Sequence, residues 1–75
     1  TLEDMEPNPT GWRIHEVEAI CLVHGAKCTP PRGGGSHYKV SKPGKSETLT
    51  IPFKRPIKPV YVKKLVAFLR DQEHG

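Results

Sequence analysis

Residues 33–53 read GGGSHYKVSKPGKSETLTIPF, and this stretch decides the fold. Ser36–Ser41 and Glu47–Phe53 each alternate in polarity, which is the pattern of a β-strand with one buried face. Between them, Lys42–Lys45 reads Lys-Pro-Gly-Lys, a turn signal. We therefore predict two strands joined by a short turn, with His37 near the beginning of the first.

The alternation also assigns the side chains to faces. His37 and Lys39 fall on one face of their strand together with Ser41, whereas Tyr38 and Val40 fall on the other. In the following strand the apolar side chains share one face, namely Leu49, Ile51 and Phe53. Each strand therefore has a face suited to a core and a polar face.

An amphipathic helix is predicted on each side of these strands. Apolar residues recur at spacings of three and four over Trp12–His24 and again over Val60–Gln72. Ala26–Arg32 is predicted to form a further short strand, which Pro30 and Pro31 restrict to an edge position or to an early end. The order is helix, three strands, helix, so we predict an α+β fold: a three-stranded antiparallel sheet with both helices packed on one face.

Length and composition limit the possible functions. A chain of 75 residues is too short for a multi-step enzyme with a large cofactor.

Residues 1–10 are acidic and lack apolar periodicity, so they are predicted to form a flexible tail before a single domain at residues 11–75. No apolar run approaches the ~20 residues that span a bilayer, and no signal peptide is apparent. Cys21 and Cys28 could form one disulfide, but they are expected to be reduced thiols of a cytoplasmic protein.

Charge is distributed unevenly along the chain. The net charge is +4, yet residues 1–25 are acidic and residues 26–75 are strongly basic. Such asymmetry favours a polyanionic partner for the second part, although a solvated lysine surface that binds nothing is the alternative. The basic candidates are Lys27, Arg32, Lys39, Lys42, Lys45, Lys54, Arg55, Lys58, Lys63 and Lys64.

The stretch Gly33–Gly35 followed by Ser36 and His37 is the strongest indication of chemistry. Glycines let the backbone approach a ligand closely and expose amide N–H groups. An imidazole exchanges protons near neutral pH, and RNA carries its own nucleophile in the 2′-hydroxyl group. A base and nearby cations would then suffice for cleavage. The alternative is a surface histidine without a role.

A metal site is the competing interpretation. Cys21, His24 and Cys28 have the spacing C-x2-H-x3-C and could supply three ligands, with His37 as a fourth. This spacing fits no common zinc module. We therefore predict no metal and no cofactor.

Several short motifs, taken in order, resemble the HicA toxins of bacterial type II toxin–antitoxin systems. These motifs are Gly35-Ser36-His37, Pro43-Gly44, Leu49–Pro52, and Lys58-Pro59 before Val62–Leu65. The resemblance covers about residues 33–70. It implies a fold similar to double-stranded-RNA-binding domains, an mRNA endoribonuclease with one catalytic histidine, and a HicB antitoxin as protein partner.

The resulting hypothesis is a metal-independent mRNA endoribonuclease in which His37 is catalytic. Arg32, Lys39 and Lys54 are expected to hold phosphate and transition-state charge. The full RNA-binding set is Arg32, Gly34, Gly35, Ser36, Lys39, Lys54, Arg55 and Lys58. One alternative is an RNA-binding module of the same fold without nuclease activity. Another is a structural role in which the open sheet face or an edge strand docks a protein.

Overall fold

A computed structural model describes residues 2–70, and residues 1 and 71–75 are not discussed further. The elements of the described part are α1 (Leu2–Met5), α2 (Ile14–Val23), β1 (Lys27–Thr29), β2 (His37–Ser41), β3 (Leu49–Pro52) and α3 (Pro59–Arg70). From α2 onward their order confirms the predicted order of helix, three strands and helix. None of the helices in residues 2–70 has the length and apolar character needed to cross a bilayer.

The three strands form one antiparallel sheet in the order β1-β2-β3. Lys39 is the partner of Thr29 on one side and of Thr50 on the other, and His37 is the partner of Pro52. Paired residues project to the same face of an antiparallel sheet. The register therefore fixes which side chains accompany His37.

One face of the sheet carries the core and the other is open. Cys28, Val40 and Ile51 project to the core face, where Val40 and Ile51 are fully buried. Lys39 and Thr50, on the opposite face, are exposed. Because α2 and α3 bury their apolar residues in the same core, both helices pack on one face, as predicted. The buried set is Leu2, Met5, Val17, Ile20, Cys21, Ala26, Val40, Ile51, Ile57, Val62, Leu65, Val66, Phe68 and Leu69.

The elements are shorter than predicted at several ends. β1 stops at Thr29 rather than continuing to residue 32, because Pro30 and Pro31 cannot donate ladder hydrogen bonds. α2 begins at Ile14, two residues later than predicted, since the carbonyl oxygen of Trp12 accepts a hydrogen bond from the Ile57 N–H at 2.8 Å. The predicted end of α3 at residue 72 lies outside the described residues.

The N-terminal segment differs from the predicted flexible tail. Leu2–Met5 forms a helical turn on α3, with Leu2 4% exposed and Met5 fully buried. Arg70 on α3 donates a hydrogen bond to the carboxylate of Glu6. The two apolar residues, three positions apart, lie on the same side of the turn and extend the core over α3.

Candidate functional site

A cleft of about 490 Å³ opens on the polar side of the sheet, where β2 begins. We call it the His37 cleft. Its lining residues are Thr29, Pro30, Pro31, Arg32, Gly35, Ser36, His37 and Lys39. It brings together five residues that the sequence assigned to one site: Arg32, Gly35, Ser36, His37 and Lys39. These five come from β2 and from the loop between β1 and β2.

His37 is the first residue of β2 and its side chain is exposed. Its Nδ1 atom lies 3.4 Å from the Oγ atom of Ser36. Lys39 lies two residues further along the strand, so its ammonium group is on the same face. Thr29 is paired with Lys39 across the sheet and completes this side of the cleft.

The glycine turn brings Arg32 next to the beginning of β2. The N–H of Gly35 donates a hydrogen bond to the carbonyl oxygen of Arg32 at 2.9 Å. A β-carbon at Gly35 would lie 3.2 Å from that oxygen and 3.3 Å from the β-carbon of Pro31, which is tight packing. Gly34 has a φ of +82°, a backbone conformation that glycine adopts without steric penalty. The turn therefore favours glycine at position 34 because of its positive φ, and a small residue at position 35 because of the close contacts there.

The His37 cleft is electropositive. Arg32 and Lys39 provide two cations, and none of the described lining residues is acidic. Cations around a histidine provide electrostatic stabilisation for an anionic group and its transition state. The cleft is thus suited to a phosphodiester.

Other predicted RNA-binding residues lie outside the His37 cleft. Gly34 belongs to the glycine turn but does not line the His37 cleft. The carbonyl oxygen of Lys58 accepts hydrogen bonds from the N–H groups of Tyr61 and Val62 at the beginning of α3, and its side chain is exposed there. Lys54 and Arg55 line a separate cleft beyond the end of β3.

This second cleft has a volume of about 240 Å³, and we call it the Arg13 cleft. Arg13, Ile14 and His15 at the beginning of α2 form one side, and Phe53 follows β3 on the other. The complete lining set is Arg13, Ile14, His15, Phe53, Lys54 and Arg55. Sequence reasoning missed Arg13 and His15, because only the tertiary fold brings them to Lys54.

Pro30 and Pro31 were also missed as part of the site. They were interpreted only as residues that end a strand, yet both line the His37 cleft. Their position directly before Arg32 and the glycines was the available signal. A proline pair is stiff, so it gives the cleft a rigid wall.

Six lysines of the basic set line neither cleft: Lys27, Lys42, Lys45, Lys58, Lys63 and Lys64. Lys42 is buried, and its Nζ atom donates a hydrogen bond to the Leu69 carbonyl oxygen at 3.1 Å. Lys45 lies 4.7 Å from the ring centre of Phe68. Lys63 lines a groove formed by α3 and Glu6. Counting basic residues in the sequence therefore overestimates the cationic surface near His37.

The three-ligand metal set left open by the sequence is not assembled. Nowhere in residues 2–70 do three side chains of the types His, Cys, Asp or Glu come together as a potential metal site. Cys28 projects to the core face of the sheet, whereas His37 projects to the open face.

Cys21 and Cys28 are free thiols joined by a side-chain hydrogen bond. The hydrogen bond from Cys21 lowers the pKa of Cys28 below its ordinary value, although burial and Glu18 oppose this change. The same hydrogen bond, together with burial, raises the pKa of Cys21. Cys28, the less buried of the two, therefore loses its proton at lower pH than Cys21.

Comparison of the chain with protein-family models, with curated proteins and with solved structures gave no significant match. The two clefts, their charges and the motif order therefore provide the basis for a functional proposal.

Proposed function

We propose that this protein is an endoribonuclease that cleaves mRNA with His37 as the acid–base residue. The observation that carries the proposal is the position of His37: an exposed imidazole on the open sheet face, in a cleft with Arg32 and Lys39. A general acid or base must be accessible to the proton that it transfers, and an exposed strand residue meets this requirement.

The proposed reaction uses the 2′-hydroxyl group of RNA as the nucleophile. This oxygen attacks the adjacent phosphorus, and the bond from phosphorus to the 5′-oxygen breaks. The 2′-hydroxyl proton passes to a base, and the leaving 5′-oxygen takes up a proton. The products carry a 2′,3′-cyclic phosphate and a 5′-hydroxyl group. His37 performs one of these transfers, and a second group or water performs the other.

The cations of the His37 cleft have a separate role. Negative charge accumulates on the phosphorane oxygens in the transition state, where fixed positive charges are most valuable. Lys39 shares a strand face with His37, and Arg32 lies beside the glycine turn. We assign both side chains to this charge stabilisation.

The resemblance to HicA toxins extends the proposal to a biological role. The arrangement of one helix, three antiparallel strands and one helix from residue 14 onward supports it. We infer a fold similar to double-stranded-RNA-binding domains and a toxin that acts on mRNA in the cytoplasm. A HicB-type antitoxin would be its protein partner, with its acidic groups complementing the basic surface.

The test is cleavage of a long labelled mRNA in the presence of EDTA, comparing the parent with His37→Ala. Cleavage is expected to fall about 100- to 10,000-fold in the variant, which is the usual contribution of general acid–base catalysis. His24→Ala is the matched control, because His24 lies at the end of α2 outside both clefts. A 2′,3′-cyclic phosphate at the new end identifies the proposed chemistry.

Two results would refute the assignment. One is a folded His37→Ala protein that cleaves RNA at the parental rate. The other is intact RNA with both proteins, accompanied by a gel shift in both, which indicates an RNA-binding module without nuclease activity. Loss of parental cleavage in EDTA would contradict the metal-independent mechanism.

A further inference from the structure

We propose that the Arg13 cleft is a second phosphate-binding subsite, which holds another phosphate of the RNA strand cleaved in the His37 cleft. This inference rests on the proposed RNA substrate. It adds Arg13 and His15, two residues from the mostly acidic first third of the chain, to the RNA-binding surface.

One main-chain hydrogen bond connects the linings of the two clefts, and a second holds the segment after β3 to the chain just before α2. The N–H of Phe53 donates to the carbonyl oxygen of Ser36 at 2.7 Å, and the N–H of Ile57 donates to that of Trp12 at 2.8 Å. Ser36 lines the His37 cleft, whereas Phe53 lines the Arg13 cleft. The linings of the two clefts are therefore joined where β2 begins and β3 ends. The His37 cleft opens on the polar face, whereas Phe53 packs against Tyr38 on the core side, so an RNA strand that contacts both clefts passes around this end of the sheet.

The segment after β3 is held at both ends. The Phe53 hydrogen bond fixes its beginning, and the fully buried Ile57 fixes its end. Lys54 and Arg55 lie between these anchors and are exposed. Because the backbone on either side is anchored, both cations stay beside the first residues of α2.

The charges of the Arg13 cleft favour an anion. Arg13, Lys54 and Arg55 are cationic, His15 adds an imidazole donor, and none of the described lining residues is acidic. Like charges gathered in one cleft repel one another, and a bound phosphate relieves that repulsion. The nearby carboxylate of Glu16 accepts a hydrogen bond from the main-chain N–H of Arg13 at 2.8 Å.

Arg55 is partly oriented before any ligand binds. Its guanidinium carbon lies 5.6 Å from the ring centre of Phe53, within the range of a cation–π interaction. The Phe53 ring in turn lies 5.9 Å from the ring of Tyr38, centre to centre. A guanidinium group restrained by a packed ring loses less freedom when it binds a phosphate.

The experiment measures binding of a single-stranded RNA oligonucleotide in the His37→Ala background, where the proposed cleavage is removed. Arg13→Gln and Lys54→Gln are each compared with Lys63→Gln, a control that removes the same charge from a different groove. Fluorescence anisotropy is recorded over a range of salt concentrations, and thermal melts show that each variant is folded.

If the subsite exists, Arg13→Gln and Lys54→Gln each weaken binding about fivefold at low salt. Each should also reduce the slope of log K against log salt by about 0.7, the value for one phosphate contact on single strands. Lys63→Gln should retain the slope of its parent. The double variant should lose less affinity than the product of the two single losses, because both residues contact one phosphate.

If Arg13→Gln and Lys54→Gln both give the same slope of log K against log salt as Lys63→Gln, the proposed subsite is refuted. Cleavage of a dinucleotide, which has a single phosphodiester, separates this failure from that of the proposed function. Arg13→Gln placed in the otherwise unaltered chain should cleave the dinucleotide at the parental rate and longer RNA more slowly. An equal loss on both substrates would also contradict the inference. A parent that binds RNA but cleaves neither substrate refutes the nuclease and leaves the binding comparison valid.

Discussion

The Oγ atom of Ser36 lies 3.4 Å from Nδ1 of His37, one residue further along the chain. A hydroxyl oxygen that accepts the Nδ1 proton leaves the lone pair on Nε2, which is the tautomer needed in a base. The separation is long for a hydrogen bond, so its effect on the imidazole is one of orientation. In the proposed nuclease, we therefore expect Ser36 to act as a positioning residue for His37.

Replacing Ser36 tests this role. Ser36→Ala should lower the cleavage rate about 3- to 10-fold, the equivalent of one ordinary hydrogen bond, with KM unchanged. Ser36→Thr keeps the hydroxyl group and should restore the rate. Single-turnover kinetics on a short RNA provide the measurement. A loss as large as that of His37→Ala, or a failure of threonine to restore activity, would contradict a positioning role.

Lys39 lies on the open face of β2, whereas Lys42, directly after the strand, is buried. Their substitution should therefore affect different properties of the protein. Lys42→Met removes a buried hydrogen bond to Leu69 and should lower the free energy of unfolding by about 1–2 kcal/mol. For a domain of this size that is a fall in Tm of roughly 4–16 °C. Lys39→Met should leave Tm unchanged and weaken RNA binding. Thermal melts measure the stability of both variants, and fluorescence anisotropy measures their RNA binding. Equal effects of the two substitutions on RNA binding would contradict the separate roles of Lys39 and Lys42.

The packing of the N-terminal turn has a measurable energetic consequence. Met5 is fully buried, so Met5→Ala should lower the free energy of unfolding by about 2–5 kcal/mol, the range for large-to-small core substitutions. Glu3 lies on the same turn but is exposed, and Glu3→Ala is the control with little effect. Urea unfolding gives both values. Equal stability of the two variants would mean that the segment is the flexible tail predicted from the sequence.

The two thiols should react in a definite order. The hydrogen bond from Cys21 lowers the pKa of Cys28, so its thiolate fraction at a given pH exceeds that of an ordinary cysteine. Iodoacetamide should therefore modify Cys28 first in the folded protein. In Cys21→Ala that hydrogen bond is lost, the pKa of Cys28 rises, and its alkylation should require higher pH. Peptide mass mapping identifies the modified residue, and prior labelling of Cys21 would reverse the assignment.

The central part of the fold was predictable from local pattern. Strict alternation from Ser36 to Ser41 fixes which side chains face the core, and the observed register agrees with it. The N-terminal turn was missed because two apolar residues show no periodicity. Their burial depends on the surface that α3 presents to them.

The candidate site was predictable only in part. Residues close to His37 in sequence also meet in space, so the His37 cleft follows from the local order of strand, turn and strand. Arg13 meets Lys54 through the hydrogen bond between Trp12 and Ile57, which joins distant parts of the chain. No local pattern encodes such a contact. The burial of Lys42 likewise depends on where α3 ends.

The prolines that end two strands also determine how other chains can approach the sheet. β1 and β3 are its outer strands, with three and four residues, and each ends at or next to proline. Pro30, Pro31 and Pro52 offer no N–H group to an added strand. Edge-to-edge association between copies, the first step of many aggregates, is therefore disfavoured. We therefore expect a protein that binds here to recognise the open face or the helices through side chains, more readily than it extends the short edge strands.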